Sequence, residues 1–161
     1  MGIVWNNPND LDRRFAEAQA EYDRKAINWL TVLGERVVKY AREHGNYTDQ
    51  TSNLRNSIGY IVIQSNKVVH DSFVGQTPPR NDPQSQSDAE MAHQRGLAYA
   101  NQVGATLGGY KTYLVWVAGM EYARYVEAKG YDVIQGSGDW VEANARKLMD
   151  EFERYLKAKG K

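Results

Sequence analysis

The residue types that most often carry chemistry are few in this sequence and are widely spaced. The three histidines, His44, His70 and His93, fall in different predicted elements and lack the spacing of metal ligands. Glu90 and His93 lie three residues apart in a predicted helix, as in di-iron helical bundles. Those bundles need this motif twice, and the sequence has it once. We therefore expect no metal site.

Other signatures of catalysis are also missing from the sequence. There is no cysteine, which excludes disulfides, thiolate zinc sites and a cysteine nucleophile. Gly104, Gly108 and Gly109 fit neither the dinucleotide fingerprint nor the P-loop spacing. The segment Gly136-Ser137-Gly138 is only an incomplete nucleophile elbow. We expect no catalytic residue, no cofactor and no enzymatic activity.

The composition is that of one globular domain spanning residues 1–161, with 42% hydrophobic and 25% charged residues. Lys plus Arg and Asp plus Glu both total 20, and this balance argues against a protein that binds nucleic acid through its phosphates. No apolar run approaches the roughly 20 residues needed to span a bilayer. The N-terminal sequence MGIVWNNPND lacks the regions of a signal peptide. We expect a soluble protein, made in the cytoplasm, without membrane contact.

The longest helical pattern runs from Asn9 to His44. Apolar residues recur along it at alternating spacings of three and four and form one stripe: Leu11, Phe15, Ala18, Tyr22, Ala26, Trp29, Leu33, Val37 and Tyr40. Such a helix is about 50 Å long, which exceeds a compact domain of this size. It must therefore project, kink near Gly34, or pack against another chain. Trp5 lies just ahead of it and either folds back on the domain or docks on a neighbouring subunit.

The stretch Tyr110–Ile134 is predicted to organise the fold. Thr112–Ala118 is apolar on both faces of a strand, so we expect it to be central in its sheet and covered on both sides. A short helix is predicted over Glu121–Lys129, with Gly130 as a left-handed cap. A short strand over residues 131–134 follows.

The remaining elements complete a mixed helical and strand pattern. They are a hairpin over Ile58–Val74 with its turn at Ser65-Asn66, a flexible proline-rich loop over 75–87, a helix from Asp88, and a last helix from Asp139. The predicted class is α+β, with a small antiparallel or mixed sheet flanked by the long N-terminal helix and a C-terminal helix.

Tyrosine is unusually frequent, with 11 residues, five of which cluster between positions 110 and 131. Tyrosine is large, rigid and amphipathic, so it suits protein interfaces and half-buried sheet positions equally well. Both interpretations stay open.

Two short motifs resemble a known family. Thr51, Leu54, Arg55, Ser57 and Ile58 match a "T-x-x-L-R-x-S-I" segment that opens the first strand in small tail-completion or neck proteins of long-tailed bacteriophages and prophages. A second segment of that family, "Y-A-x-Y-V-E", is matched over Tyr122–Glu127. The sequence departs from the family in carrying Ala128-Lys129-Gly130 where a glycine-threonine is usual, and in its longer proline-rich loop.

The resemblance implies a structural protein that assembles at the head–tail junction of a virion, after existing in the host cytoplasm. Its partners would be other virion proteins, with a homo-oligomeric ring in the particle and a monomer in solution before assembly. On this basis the predicted interface residues are Trp5, Arg55, Tyr125, Glu127 and Tyr131.

Two other functions stay open. A small hydrolase-like enzyme would bring some of His70, Asp71, Glu90 and His93 together in a deep pocket. A monomeric adaptor would instead bind a protein through the loops at 44–57 and 75–87.

Overall fold

The computed structural model describes residues 8–48, 51–73, 83–109 and 111–158. It confirms an α+β fold. The elements in chain order are α1 Pro8–His44, α2 Asn53–Asn56, β1 Ile58–Gln64, β2 Lys67–Asp71, α3 Pro83–Ala105, β3 Thr112–Ala118, α4 Ala123–Ala128, α5 Gln135–Ala143 and α6 Ala145–Lys157. Among the described residues, no helix combines the length and the apolar character needed to cross a bilayer.

The three strands form one antiparallel sheet in the order β2-β1-β3. The prediction that Thr112–Ala118 is the central strand is wrong, because β1 occupies the middle and β3 lies at an edge. Strand β3 is apolar on both faces for another reason. Its Leu114 and Trp116 pack beneath α1, while Val115 and Val117 pack against the α3 side. Helices therefore cover both faces of a strand that pairs with one other strand among the described residues.

The predicted hairpin is confirmed. Strand β1 pairs with β2 across a two-residue turn in which Ser65 and Asn66 have φ values of 49° and 63°. Positive φ at both central positions is the type I′ geometry, whose twist matches that of paired strands.

Helix α1 is continuous and has two different halves. From Ala26 onward its stripe packs on the sheet, with Ala26, Leu33, Val37 and Ala41 buried. Gly34 allows this contact, since a Cβ there would lie 2.5 Å from a ring carbon of Tyr60. Between positions 9 and 22, Asp10 is half-buried and all other residues are exposed. The long helix thus projects beyond the described body of the domain.

Two predicted boundaries are wrong. Helix α3 begins at Pro83 rather than Asp88, because proline is favoured in the first helical turn and Gln84 Nε2 donates to Asp88 Oδ1 at 2.8 Å. The end of the predicted loop over 75–87 is therefore helical, while residues 74–82 lie outside the described part. The second wrong boundary is the start of the C-terminal helix, which begins at Gln135 rather than Asp139. The predicted single helix is also split into α5 and α6 at Asn144. The strand predicted over 131–134 does not form.

Candidate interaction site

Buried Ser57 joins the two motifs that carry the family resemblance. Its backbone oxygen accepts a hydrogen bond from Gly119 N at 3.1 Å, and its Oγ accepts one from Met120 N at 3.3 Å. The same hydroxyl donates to Leu54 O at 2.8 Å. Helix α2, from the first motif, is therefore held to the chain that leads into α4, which carries the second motif.

A cleft opens between these two helices and the segment that follows α1. We call this 410 Å³ cavity the tyrosine cleft. Its lining consists of Tyr47, Thr48, Thr51, Leu54, Tyr122, Tyr125, Val126, Lys129 and Tyr131. Four tyrosines from three separate segments thus surround one cavity.

The tyrosines differ in burial. Tyr47 is only 7% exposed and lies deep in the packing, whereas Tyr125 is 63% exposed and Tyr131 is 46% exposed. Lys129 Nζ lies 5.1 Å from the ring centroid of Tyr125, and the guanidinium carbon of Arg55 lies 5.5 Å from that of Tyr47. Both distances fall within the range of cation–π attraction. The cleft is therefore an aromatic surface edged by two cations.

The position of Tyr131 is fixed by the chain around it. Gly130, with φ of +86°, ends α4 in the left-handed conformation, as predicted, and its N–H donates to Glu127 O at 2.9 Å. The next residue, Asp132, donates its N–H to Asn46 Oδ1 at 2.7 Å. Its carboxylate Oδ1 then accepts from Gly136 N at 2.8 Å. Tyr131 is thus held between two anchored neighbours.

Glu127 lies on the opposite side of α4 and has an internal role. Its carboxylate accepts hydrogen bonds from the backbone N–H groups of Val133, Ile134 and Gln135 at 3.0 to 3.3 Å. These groups would otherwise be unsatisfied at the start of α5. A carboxylate at this end also complements the helix dipole. This capping explains why α5 starts at Gln135.

The structure brings together only part of the predicted interface set. Tyr125 and Tyr131 line the tyrosine cleft, and Arg55 lies beside it through its contact with Tyr47. Glu127 lines a different cavity, of 590 Å³, next to the end of β3. Trp5 lies outside the described residues.

Only two of the nine lining residues, Tyr125 and Tyr131, belong to the predicted interface set. Tyr122 and Lys129 each lie on the same side of α4 as Tyr125, at helical spacings of three and four, so this signal was available. Tyr47 lies in a polar, turn-rich stretch that gives no indication of burial. Only the tertiary packing places it in the cleft.

The residues that the enzyme alternative requires are partly engaged in structural hydrogen bonds. The hydroxyl of buried Tyr60 lies 2.9 Å from Glu35 Oε1 and 3.1 Å from His70 Nε2. Because the hydroxyl has one proton and Glu35 can only accept when ionised, His70 donates to the tyrosine oxygen. Burial, and then the hydrogen bond to Glu35, raise the pKa of Tyr60 above its ordinary value.

His93 lies among charged groups. Burial lowers its pKa, and it interacts electrostatically with Asp71, Arg42 and Glu90. None of His70, Asp71, Glu90 and His93 lines the tyrosine cleft or the 590 Å³ cavity. Across the described residues, no group of three His, Cys, Asp or Glu side chains is arranged to hold a metal ion.

Comparison with known proteins returned no match among protein-family models, curated proteins or solved structures.

Proposed function

We propose that this chain is a non-enzymatic structural component of a phage or prophage virion, located at the head–tail junction. The main observation in support is that the two motifs resembling tail-completion proteins meet in space. Thr51 and Leu54 from the first motif and Tyr122, Tyr125 and Val126 from the second line the same tyrosine cleft. Residues far apart in sequence thereby contribute to one surface.

The chemistry of the cleft suits binding to another protein. Exposed tyrosines offer large apolar contacts together with hydroxyl groups, and few rotamers are lost when they become buried. The described lining contains no carboxylate and no histidine, the side chains that most often act as general acid or base. The cations of Lys129 and Arg55 favour a partner segment that carries aromatic or acidic side chains.

The partners that fit this role are other virion proteins, with copies of this chain arranged as a ring in the particle. The tyrosine cleft would contact the next subunit or the adjoining ring. Before assembly the chain would be present in the host cytoplasm. The proposal requires neither a membrane nor specific nucleic acid.

Two observations on the natural source test this proposal. Mass spectrometry of purified particles should find the chain in a fixed ratio to the tail-tube protein, and its neighbouring genes should encode portal, capsid and tail proteins. Absence from particles, together with metabolic or regulatory genes on both sides, would contradict it and would favour a search for enzymatic activity.

A further inference from the structure

The projecting part of α1 carries an apolar face that is exposed in the described structure, apart from the contact of Tyr22 with Phe152. We call residues 9–22 the α1 arm. Its stripe consists of Leu11, Phe15, Ala18 and Tyr22, and Phe15 is 66% exposed. A phenylalanine so exposed gains nothing in a free helix, since its apolar surface faces water.

The spacing of the stripe shows that this face continues the one buried in the domain. The pattern repeats every 11 residues, so that Leu11 is followed by Tyr22 and Leu33, and Phe15 by Ala26 and Val37. Eleven residues return to within about 20° of the same direction on an α-helix. Leu33, Val37 and Ala26 are all buried. The arm therefore presents a core-like face outside its own core.

A groove begins where the arm meets the body of the domain. This α1–α6 groove has a volume of 470 Å³ and is lined by Gln19, Tyr22, Asp23, Ala26, Trp29, Leu30, Lys111, Thr112, Met149 and Phe152. The ring of Phe152 lies 4.9 Å from that of Trp29 and 6.3 Å from that of Tyr22. From Gln19 to Leu30 the groove extends about 17 Å along α1, at 1.5 Å per residue. The segment Leu11–Tyr22 has the same length.

We propose that two copies of this chain form a dimer in which each α1 arm lies antiparallel in the α1–α6 groove of the other. This inference goes beyond the proposed virion role and uses a different surface. A two-fold arrangement makes every contact twice, because the same patch meets itself.

The stripe matches itself in this orientation. From Leu11 to Trp29, successive apolar residues are separated by four, three, four, four and three positions. The series is nearly the same when it is read in the opposite direction. An antiparallel copy therefore places its apolar residues within one position of those of the first chain. In that register Ala18 lies opposite the partner's Tyr22, and Phe15 lies within one residue of the position opposite the partner's Ala26. Large side chains opposite small ones interdigitate, which is how helices reach close contact.

Charge complementarity also favours a second copy as the occupant. The arm carries four acidic and two basic residues, so its net charge is −2 and a surface that presents a cation suits it. Asp12 lies on the same flank of α1 as Gln19 and Asp23, which line the groove together with Lys111. In an antiparallel pair of helices, the same side of each helix faces the same side of the other. Asp12 of one chain thus approaches Lys111 of the other, and both are exposed in the single chain.

The dimer is tested on the purified chain by sedimentation equilibrium and light scattering. We expect a mass twice the 18.3 kDa of one chain. Phe15→Glu should raise the dissociation constant at least tenfold, with circular dichroism unchanged, because Phe15 has no role in its own core. Ala20→Glu places the same charge on the opposite face of the arm and should have little effect.

A charge exchange tests the register. Asp12→Lys and Lys111→Asp should each weaken the dimer, and the double variant should recover most of the loss. A wild-type monomer at millimolar concentration, a larger assembly, or a dimer unaffected by Phe15→Glu would overturn the inference. Failure to recover dimerisation in the double variant would overturn the register. None of these results bears on the particle test of the proposed function, since the tyrosine cleft is untouched.

Discussion

At the scale of single residues, the molecule uses its polar side chains mainly to hold the backbone in place. Ser57 joins α2 to the end of β3, and Asn46 fixes Asp132. Glu127 supplies the cap that α5 lacks within its own sequence. The exposed tyrosines are the exception, since Tyr125 and Tyr131 present much of their surface to solvent.

Glu127→Ala should lower the free energy of unfolding by about 1–2 kcal/mol, because three backbone N–H groups lose their acceptor. Denaturant unfolding measures the change. Glu121→Ala is the matched control, because it removes the same type of side chain from the segment just before α4. Glu121 is largely exposed and forms an ion pair with Arg95 at 3.5 Å, so little change is expected. Equal effects in the two variants would contradict the capping role.

Tyr60→Phe should lower stability by about 1 kcal/mol at neutral pH, since Glu35 and His70 lose their shared partner. The destabilisation caused by Tyr60→Phe should become smaller at alkaline pH. The folded pKa of Tyr60 lies above the unfolded value near 10. Its contribution is therefore complete below pH 10 and is lost as the pH rises towards the folded pKa. The variant should lose less stability above pH 10 than the wild type, and parallel pH profiles would contradict this assignment.

At the scale of elements, close backbone approaches hold α3 against the sheet. A Cβ on Gly96 would lie 2.6 Å from Ser57 O and would also meet the ring of Phe73. Gly119, just after β3, faces the backbone of Gly96 in the same contact. This packing brings the face of α3 with Ala92 and Ala100 onto the sheet, where both are buried.

Gly96→Ala should destabilise the fold by about 1–3 kcal/mol, even though alanine favours helix, because the backbone of α3 must move away from β1. Gly108→Ala is the control, since nothing lies within 4 Å of a Cβ there. It should be neutral or slightly stabilising. Thermal unfolding of both variants distinguishes a tight approach from an unspecific effect of replacing glycine.

Sequence patterns predicted the elements with strong local signals and failed where long-range contacts decide. The stripe of α1 and the turn at Ser65-Asn66 depend on local periodicity and φ preference, and both were predicted. The order of strands was not, because a strand covered by helices on both faces has the same apolar pattern at an edge as in the centre. The start of α5 depends on Glu127, and the depth of the tyrosine cleft depends on Tyr47. Neither contact has a signature in the adjacent sequence.

At the scale of the whole molecule, two candidate contact surfaces belong to different parts of the chain. The tyrosine cleft is formed by α2, α4 and the segment after α1. The α1 arm and its groove involve the other end of α1, together with α6 and the start of β3. One chain can therefore engage a second copy through the arm while its cleft binds another protein. Substitutions in one surface should leave binding at the other intact.

Electron microscopy of particles from a host in which the gene is disrupted tests the central claim most directly. We expect DNA-filled heads and separate tails, with joined particles restored by the wild-type gene and by Tyr155→Ala, a control on an exposed tyrosine of α6. Tyr125→Ala and Arg55→Ala should restore few joined particles while the variant chains remain folded. Joined particles in the absence of the gene would contradict the virion role, and full restoration by Tyr125→Ala would contradict the role of the tyrosine cleft.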